Sequence, residues 1–116
     1  MGIKIIGTGK YLPEKVITNE DISQHVDTSH EWILDRTGIE QRRIATTESS
    51  LDMAAAAAEQ ALQGIDKDSI GLVVVATITP DNITPSMAAM VKKELGLERA
   101  IAFDINAACS GFVYGL

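Results

Sequence analysis

The chain has 116 residues, of which 46% are hydrophobic and only 4% aromatic, and its formal net charge is −6. That apolar content excludes a disordered chain, and the length suits one modest domain with a core of Ala, Val, Ile, Leu and Met. The acidic balance argues against nucleic acid as a main partner, and the one cysteine, Cys109, allows no internal disulfide and fits a reducing compartment. The opening MGIKIIGTGKYLP lacks the long apolar stretch of a signal peptide, and no run approaches the roughly 18 apolar residues of a membrane span. A cytoplasmic protein with no membrane partner is expected.

Residues 3–8, IKIIGT, read as a first strand, closed by Gly9 and Pro13. Thr18 can cap a short helix to about Val26, and Ser29 a second through Asp35, ended by Gly38. Residues 40–45, EQRRIA, are polar and extended, an edge strand or a loop. Ser49 or Ser50 caps the clearest helix, over about 50–63, where Leu51, Ala55, Ala58 and Leu62 form one apolar stripe. Its small alanines allow close approach to a neighbour, and Gly64 ends it. Residues 71–78, GLVVVATI, are a continuous apolar run, which predicts a strand covered on both faces in a parallel or mixed sheet. After the loop TPDN, Thr84 is expected to cap and Pro85 to start a helix that stops at Gly96. Residues 100–105, AIAFDI, read as a further strand, and Asn106-Ala107-Ala108 leads to a helix beginning near Cys109. The alternation is that of a layered α/β protein without repeats or linkers. The end at Leu116, seven residues past Cys109, reads as truncation inside a helix.

A thiol at a helix start feels the positive end of the helix dipole, which favours thiolate. The small Ser110 and Gly111 leave room for a thioester, and the Cys109 backbone N–H is placed to donate to an oxyanion. Cys109 then reads as a covalent acyl carrier. It also reads as a packed core thiol, the commoner fate of a free cysteine. No Cys–His spacing suggests a metal. His25 and His30, the two histidines, lie in polar segments and read as solvated rather than as the base such a thiol needs.

Three segments together resemble the N-terminal third of β-ketoacyl-acyl carrier protein synthase III, a thiolase-fold condensing enzyme. They are IKIIGTGKYLP (3–13), DTSHEWILDRTGI (27–39) and FDINAACSGF (103–112), and the likeness runs over essentially all 116 residues. The resemblance implies an α/β, thiolase-like fold layered α-β-α-β-α, of which residues 1–116 are most of the first half. It implies that Cys109 takes an acyl group, typically acetyl, from acyl-coenzyme A. Malonyl-acyl carrier protein then loses CO₂ and attacks the cysteine thioester, giving the 3-oxoacyl-acyl carrier protein that starts a fatty acid. The family's catalytic histidine and asparagine, and a second oxyanion-donating glycine, belong to positions beyond these 116 residues. The implied substrates are acyl-coenzyme A and malonyl-acyl carrier protein, with no permanently bound cofactor, and the implied assembly is a homodimer.

The resemblance also assigns Thr28, Trp32, Arg36 and Thr37 to the coenzyme A entrance. Trp32 and Arg36 are four apart and share a helix face, so indole can stack on adenine and guanidinium can pair with phosphate. On residues alone, a surface cation–π pair serves equally well. Arg42 and Arg43 read as a solvated edge. In the family, the residue matching Thr84 reaches the partner's acyl pocket at the dimer contact. A threonine where some relatives carry a bulky aromatic suggests tolerance of acyl chains longer than acetyl. Two alternatives stand beside this reading: a sister synthase with a longer acyl donor, and a non-catalytic binding or assembly fragment with an exposed apolar sheet face.

Overall fold

A computed structural model describes residues 2–116, which form two compact units. The smaller is Leu12–Glu48; the larger combines residues 2–11 with 49–116.

In the smaller unit, β1 (Lys15–Thr18) pairs antiparallel with β2 (Gln41–Ile44), Thr18 opposite Gln41. The stretch 40–45 is thus a strand, and its partner, KVIT, is too short to announce itself by alternation. Thr18 caps α1 (Asn19–Ser23) in a reciprocal box: its hydroxyl accepts the Asp21 N–H while the Asp21 carboxylate accepts the Thr18 N–H. Ser29 caps α2 (His30–Thr37), which ends at Gly38 with φ 68°, a conformation costly for any residue with a Cβ. Asn19, fully buried, ties the unit together. Its amide donates to the Ile39 carbonyl (2.7 Å), its Oδ1 accepts from Arg42 Nη1 (2.9 Å), and its backbone N–H donates to the Glu40 carbonyl (3.2 Å). Arg43 donates to the Pro13 carbonyl at 3.1 Å. The two arginines are therefore structural donors rather than a solvated edge.

In the larger unit, α3 (Ser50–Ala61) packs on α4 (Met87–Glu94), which covers the parallel pair β3 (Leu72–Ala76) and β4 (Ile101–Ile105). Val91, Leu95, Leu97 and Ala100 form the core, with Leu51, Ala58, Leu62, Val73 and Val75 around them. Because side chains alternate along a strand, Val73 and Val75 face this core, while Leu72 and Val74 share the opposite face with Ile101 and Phe103. That face is open: Ile101 is 69% exposed and Phe103 45%. The double cover expected from GLVVVATI is therefore only partial among the described residues: α4 covers one face, and the other is met only near Ala76, by the start of α5 (Gly111–Gly115).

Two further expectations are corrected. Residues 3–8 pair with neither sheet; the chain meets α3 instead at Gly7 and Gly9, where a Cβ would collide with the carbonyl of Ala61 or Ala57. Glycines against an alanine-rich helix allow that backbone contact, and they leave no ladder partner for a strand. Thr84 does not cap α4. Ser86 does, its hydroxyl accepting the Ala89 N–H at 3.2 Å. Thr84 lies two residues upstream, exposed, before a cis bond to Pro85.

The N-termini of α3 and α4 are satisfied by one scheme. In each helix a serine cap takes the third N–H, from Asp52 to Ser49 and from Ala89 to Ser86. An aspartate distant in sequence takes the first two. Asp81 accepts from Ser50 (3.1 Å) and Leu51 (2.8 Å), and Asp104 accepts from Met87 (2.8 Å) and Ala88 (2.7 Å). Carboxylate at a helix N-terminus also complements the dipole.

Candidate active site

β3 and β4 end side by side, Ala76 opposite Ile105. From β4 the chain passes through Asn106 and Ala107 into a single 3₁₀ turn, Ala108–Ser110, and then α5 (Gly111–Gly115). Cys109 is the middle residue of that turn. The helix thus starts two residues later than the sequence suggests, and the thiol precedes it. Ala108 has φ 43°, a left-handed conformation that costs a residue with a Cβ roughly 1–2 kcal/mol. Strain of this kind persists only where the surroundings impose it. Here the Ser110 N–H closes the turn onto the Ala107 carbonyl at 2.9 Å, and buried Gly111 presses on Ala76.

The turn presents Cys109 to solvent in an open cleft of about 330 Å³ lined by Ala76, Thr77, Ile78, Thr79, Ala108 and Cys109. The packed-thiol reading is therefore not what the structure shows. An exposed thiol beside small and hydroxyl-bearing residues can be approached by a thioester. Thr77 and Thr79 form part of the cleft wall, the Thr79 N–H donating to the Thr77 hydroxyl at 3.1 Å.

The other sequence-derived candidates fall in two places. Thr84 is exposed in the larger unit, next to Ile83, which is 94% exposed. Thr28, Trp32, Arg36 and Thr37 lie in the smaller unit. The Arg36 guanidinium stacks 4.3 Å from the Trp32 ring centroid, so the shared face is real, and both side chains are exposed. The Thr28 hydroxyl is buried without a hydrogen-bond partner, whereas the Thr37 hydroxyl is engaged by the Ile33 carbonyl and the Ile39 N–H. Of the histidines, His25 is exposed, and His30 is part-buried with its Nδ1 3.1 Å from Glu20 Oε1. Among the described residues, no group of three or more His, Cys, Asp or Glu is arranged to hold a metal ion. Among these same described residues, no helix is long and apolar enough to cross a membrane.

Sequence reasoning missed Asp81, Asp104 and Asn19. A signal existed for Asp104: a carboxylate inside the apolar run AIAFDI needs buried donors.

No family model matches the chain. It is 50% identical over 116 residues to the β-ketoacyl-[acyl-carrier-protein] synthase III of Clostridium acetobutylicum, and 52% identical to that of Clostridium botulinum strain Loch Maree. Each match takes in 98% of this chain but 36% of the relative, so the chain spans about a third of the length of these curated proteins. The crystal structure of 3-oxoacyl-[acyl-carrier-protein] synthase III from Aquifex aeolicus superposes with a TM-score of 0.92 at 50% identity, covering 97% of this chain and 37% of that one. Over nearly its whole length the chain is thus similar to the N-terminal portion of β-ketoacyl-[acyl-carrier-protein] synthase III and shares its α/β, thiolase-like fold.

Proposed function

We propose that the chain is the thiol-bearing portion of a decarboxylating condensing enzyme. The observation that carries this reading is the exposure of Cys109, on a strained turn, within a segment whose relatives are named as 3-oxoacyl-acyl carrier protein synthases. The Cys109 thiolate attacks the carbonyl carbon of an acyl-coenzyme A. A new C–S bond forms, the old one breaks, and coenzyme A leaves as a thiolate that takes up a proton. Malonyl-acyl carrier protein then loses CO₂, and the electron pair left on carbon attacks the Cys109 thioester. A C–C bond forms, the Cys109 thiolate departs, and 3-oxoacyl-acyl carrier protein is released to initiate fatty acid synthesis.

Trp32 and Arg36 supply an aromatic face and a cation for the nucleotide end of coenzyme A, with Thr28 and Thr37 beside them in sequence. Thr84 is assigned to the acyl pocket. Condensation also needs the histidine and asparagine that the resemblance places beyond Leu116. The activity is therefore assigned to a longer polypeptide carrying this sequence, acting as a homodimer, and the 116 residues alone are expected to be inactive. The open β3–β4 face favours a second reading, a non-catalytic assembly fragment, since soluble monomers rarely leave so much apolar surface uncovered.

Intact-mass spectrometry of the longer polypeptide, after incubation with acetyl-, butyryl- or octanoyl-coenzyme A, tests the proposal. One hydroxylamine-sensitive acyl group on the wild type, absent from Cys109→Ser, is the expected result. No labelling by any donor would leave the assembly reading. Preference for acetyl-coenzyme A by about a hundredfold, roughly 2.7 kcal/mol in transition-state binding, would remove the wide-pocket role of Thr84.

A further inference from the structure

We infer that Asp81, from outside the Cys109 cleft, is a positioning residue that holds the cleft's Thr77–Thr79 wall and so limits the width of the group that reaches the thiol. Residues 77–82 belong to no helix or strand. The segment is tied at its start by the Thr77 N–H, which donates to the Ile105 carbonyl at 3.2 Å, and internally by the Thr79 N–H on the Thr77 hydroxyl. Pro80 has no N–H to offer. The next anchor is the Asp81 carboxylate, which takes both the Ser50 and Leu51 N–H groups. Asn82 adds only a 3.8 Å contact to the Met90 sulfur.

The cleft wall is therefore a short span between a ladder bond and a charge-assisted clamp. The clamp holds onto α3, a helix of 12 residues that packs on α4. Hydrogen bonds to an ionised carboxylate are about twice as strong as neutral ones, so the clamp is the stiffer of the two ends. Cutting it leaves the Thr77 ladder bond and the long Asn82 contact to Met90 as the hydrogen bonds that tie the wall to the helices and strands. Asp81 is not among the residues lining the cleft, so its effect on Cys109 passes through the wall.

Cys109 is the one cysteine of these 116 residues, and peptide mapping of the alkylated protein assigns the label to it. Wild type, Asp81→Asn and Asp81→Glu are alkylated with a small reagent, iodoacetamide, and a wide one, a pyrene maleimide. Asp81→Asn should raise the wide-to-small rate ratio about threefold or more, whereas Asp81→Glu, which keeps the charge, should stay near wild type. Asp52→Ala is the control for a general weakening of the α3 start, because it removes the carboxylate that accepts from the Ser49 N–H and hydroxyl, while the Asp52 N–H on the Ser49 hydroxyl and the clamp both remain; it should leave the ratio unchanged. An unchanged ratio in Asp81→Asn overturns the inference, as does an equal rise in Asp52→Ala.

Should Asp81→Asn fail to fold, hydrogen exchange on the wild type decides. The Ser50 and Leu51 amides should exchange through the same opening as Thr77 and Thr79; protection differing by more than about tenfold would overturn the clamp. The consequence for acyl-chain length rests on the acyl-transfer reading, but the alkylation ratio does not. A ratio that responds to Asp81 in a protein no donor acylates would sink that reading and leave this one standing.

Discussion

Gly111 lies so close to Ala76 that a Cβ on the glycine would stand 2.9 Å from the Ala76 Cβ. This contact seats the turn carrying Cys109 against the end of β3. Gly111 has φ −55°, so alanine would meet no backbone penalty there and the effect of substitution is steric. Overpacking costs about 1–3 kcal/mol, against at most ~1 kcal/mol gained in helix propensity. Gly111→Ala should therefore destabilise the protein by about 1 kcal/mol in urea unfolding. It should also alter the alkylation rate of Cys109, since the turn must shift to make room. A variant as stable and as reactive as wild type would show that the turn is not seated by this contact.

Asp104 faces a harsher test than most strand residues. Met87 and Ala88, whose N–H groups it accepts, are 1% and 0% exposed, so water cannot readily replace the carboxylate. Removing one partner of a buried pair costs more than the net value of the bond. Asp104→Ala should cost roughly 2–4 kcal/mol in equilibrium unfolding, while Asp104→Asn should recover part of it through one remaining acceptor. A loss under about 0.5 kcal/mol for the alanine variant would contradict this account of the α4 start.

Three carboxylates give the stability a definite pH dependence. Asp81 is held below its ordinary 3.8 chiefly by the Leu51 N–H, with the Ser50 N–H adding to it. Asp21 is held down by the Thr18 N–H and then the Thr18 hydroxyl, and Glu31, ordinarily 4.5, by its own N–H and then the Ser29 hydroxyl. A carboxyl whose folded value is depressed stabilises the fold above its unfolded value. That contribution is lost as pH falls through the folded one. The thermal midpoint should therefore be flat near neutrality and fall below about pH 4.5, with a shallower fall in Asp21→Asn and Asp81→Asn. A midpoint that rises on acidification would reverse the sign and reject the linkage.

Trp32 is the single tryptophan, and Arg36 covers its ring. An exposed cation–π pair contributes only about 0.5–1 kcal/mol, so Arg36→Ala should barely change stability while shifting the fluorescence emission. If the pair receives coenzyme A, titration with the free ligand should quench Trp32. Arg36→Ala should then weaken binding about tenfold through loss of a phosphate partner. Quenching of equal affinity in wild type and Arg36→Ala would assign the pair to helix packing instead.

Much of the local structure was legible because its causes are local. Thr18, Ser29 and Ser49 each cap a helix within three residues, and Gly38 ends α2 by its own backbone. The valine-rich run became a parallel strand, as its unbroken apolar character implied, and AIAFDI, read as a further strand, is its partner. The likeness to the synthases was legible as well, since FDINAACSGF carries its part of it within one short stretch. Tertiary structure decided what depends on residues far apart in sequence. Asp81 reaches Ser50 across 31 positions and Asp104 reaches Met87 across 17, and no spacing rule connects either pair. Thr84 resembled a helix cap until Ser86 and Asp104 together claimed the α4 start. Cys109 was legible as a thiol near a helix start, either an acyl carrier or a packed core thiol; the strained turn at Ala108 and the Gly111 contact leave it exposed in an open cleft, two residues before α5. A cap is a bond within one stretch of chain, whereas exposure is set by everything packed around a residue, and only the folded chain decides that.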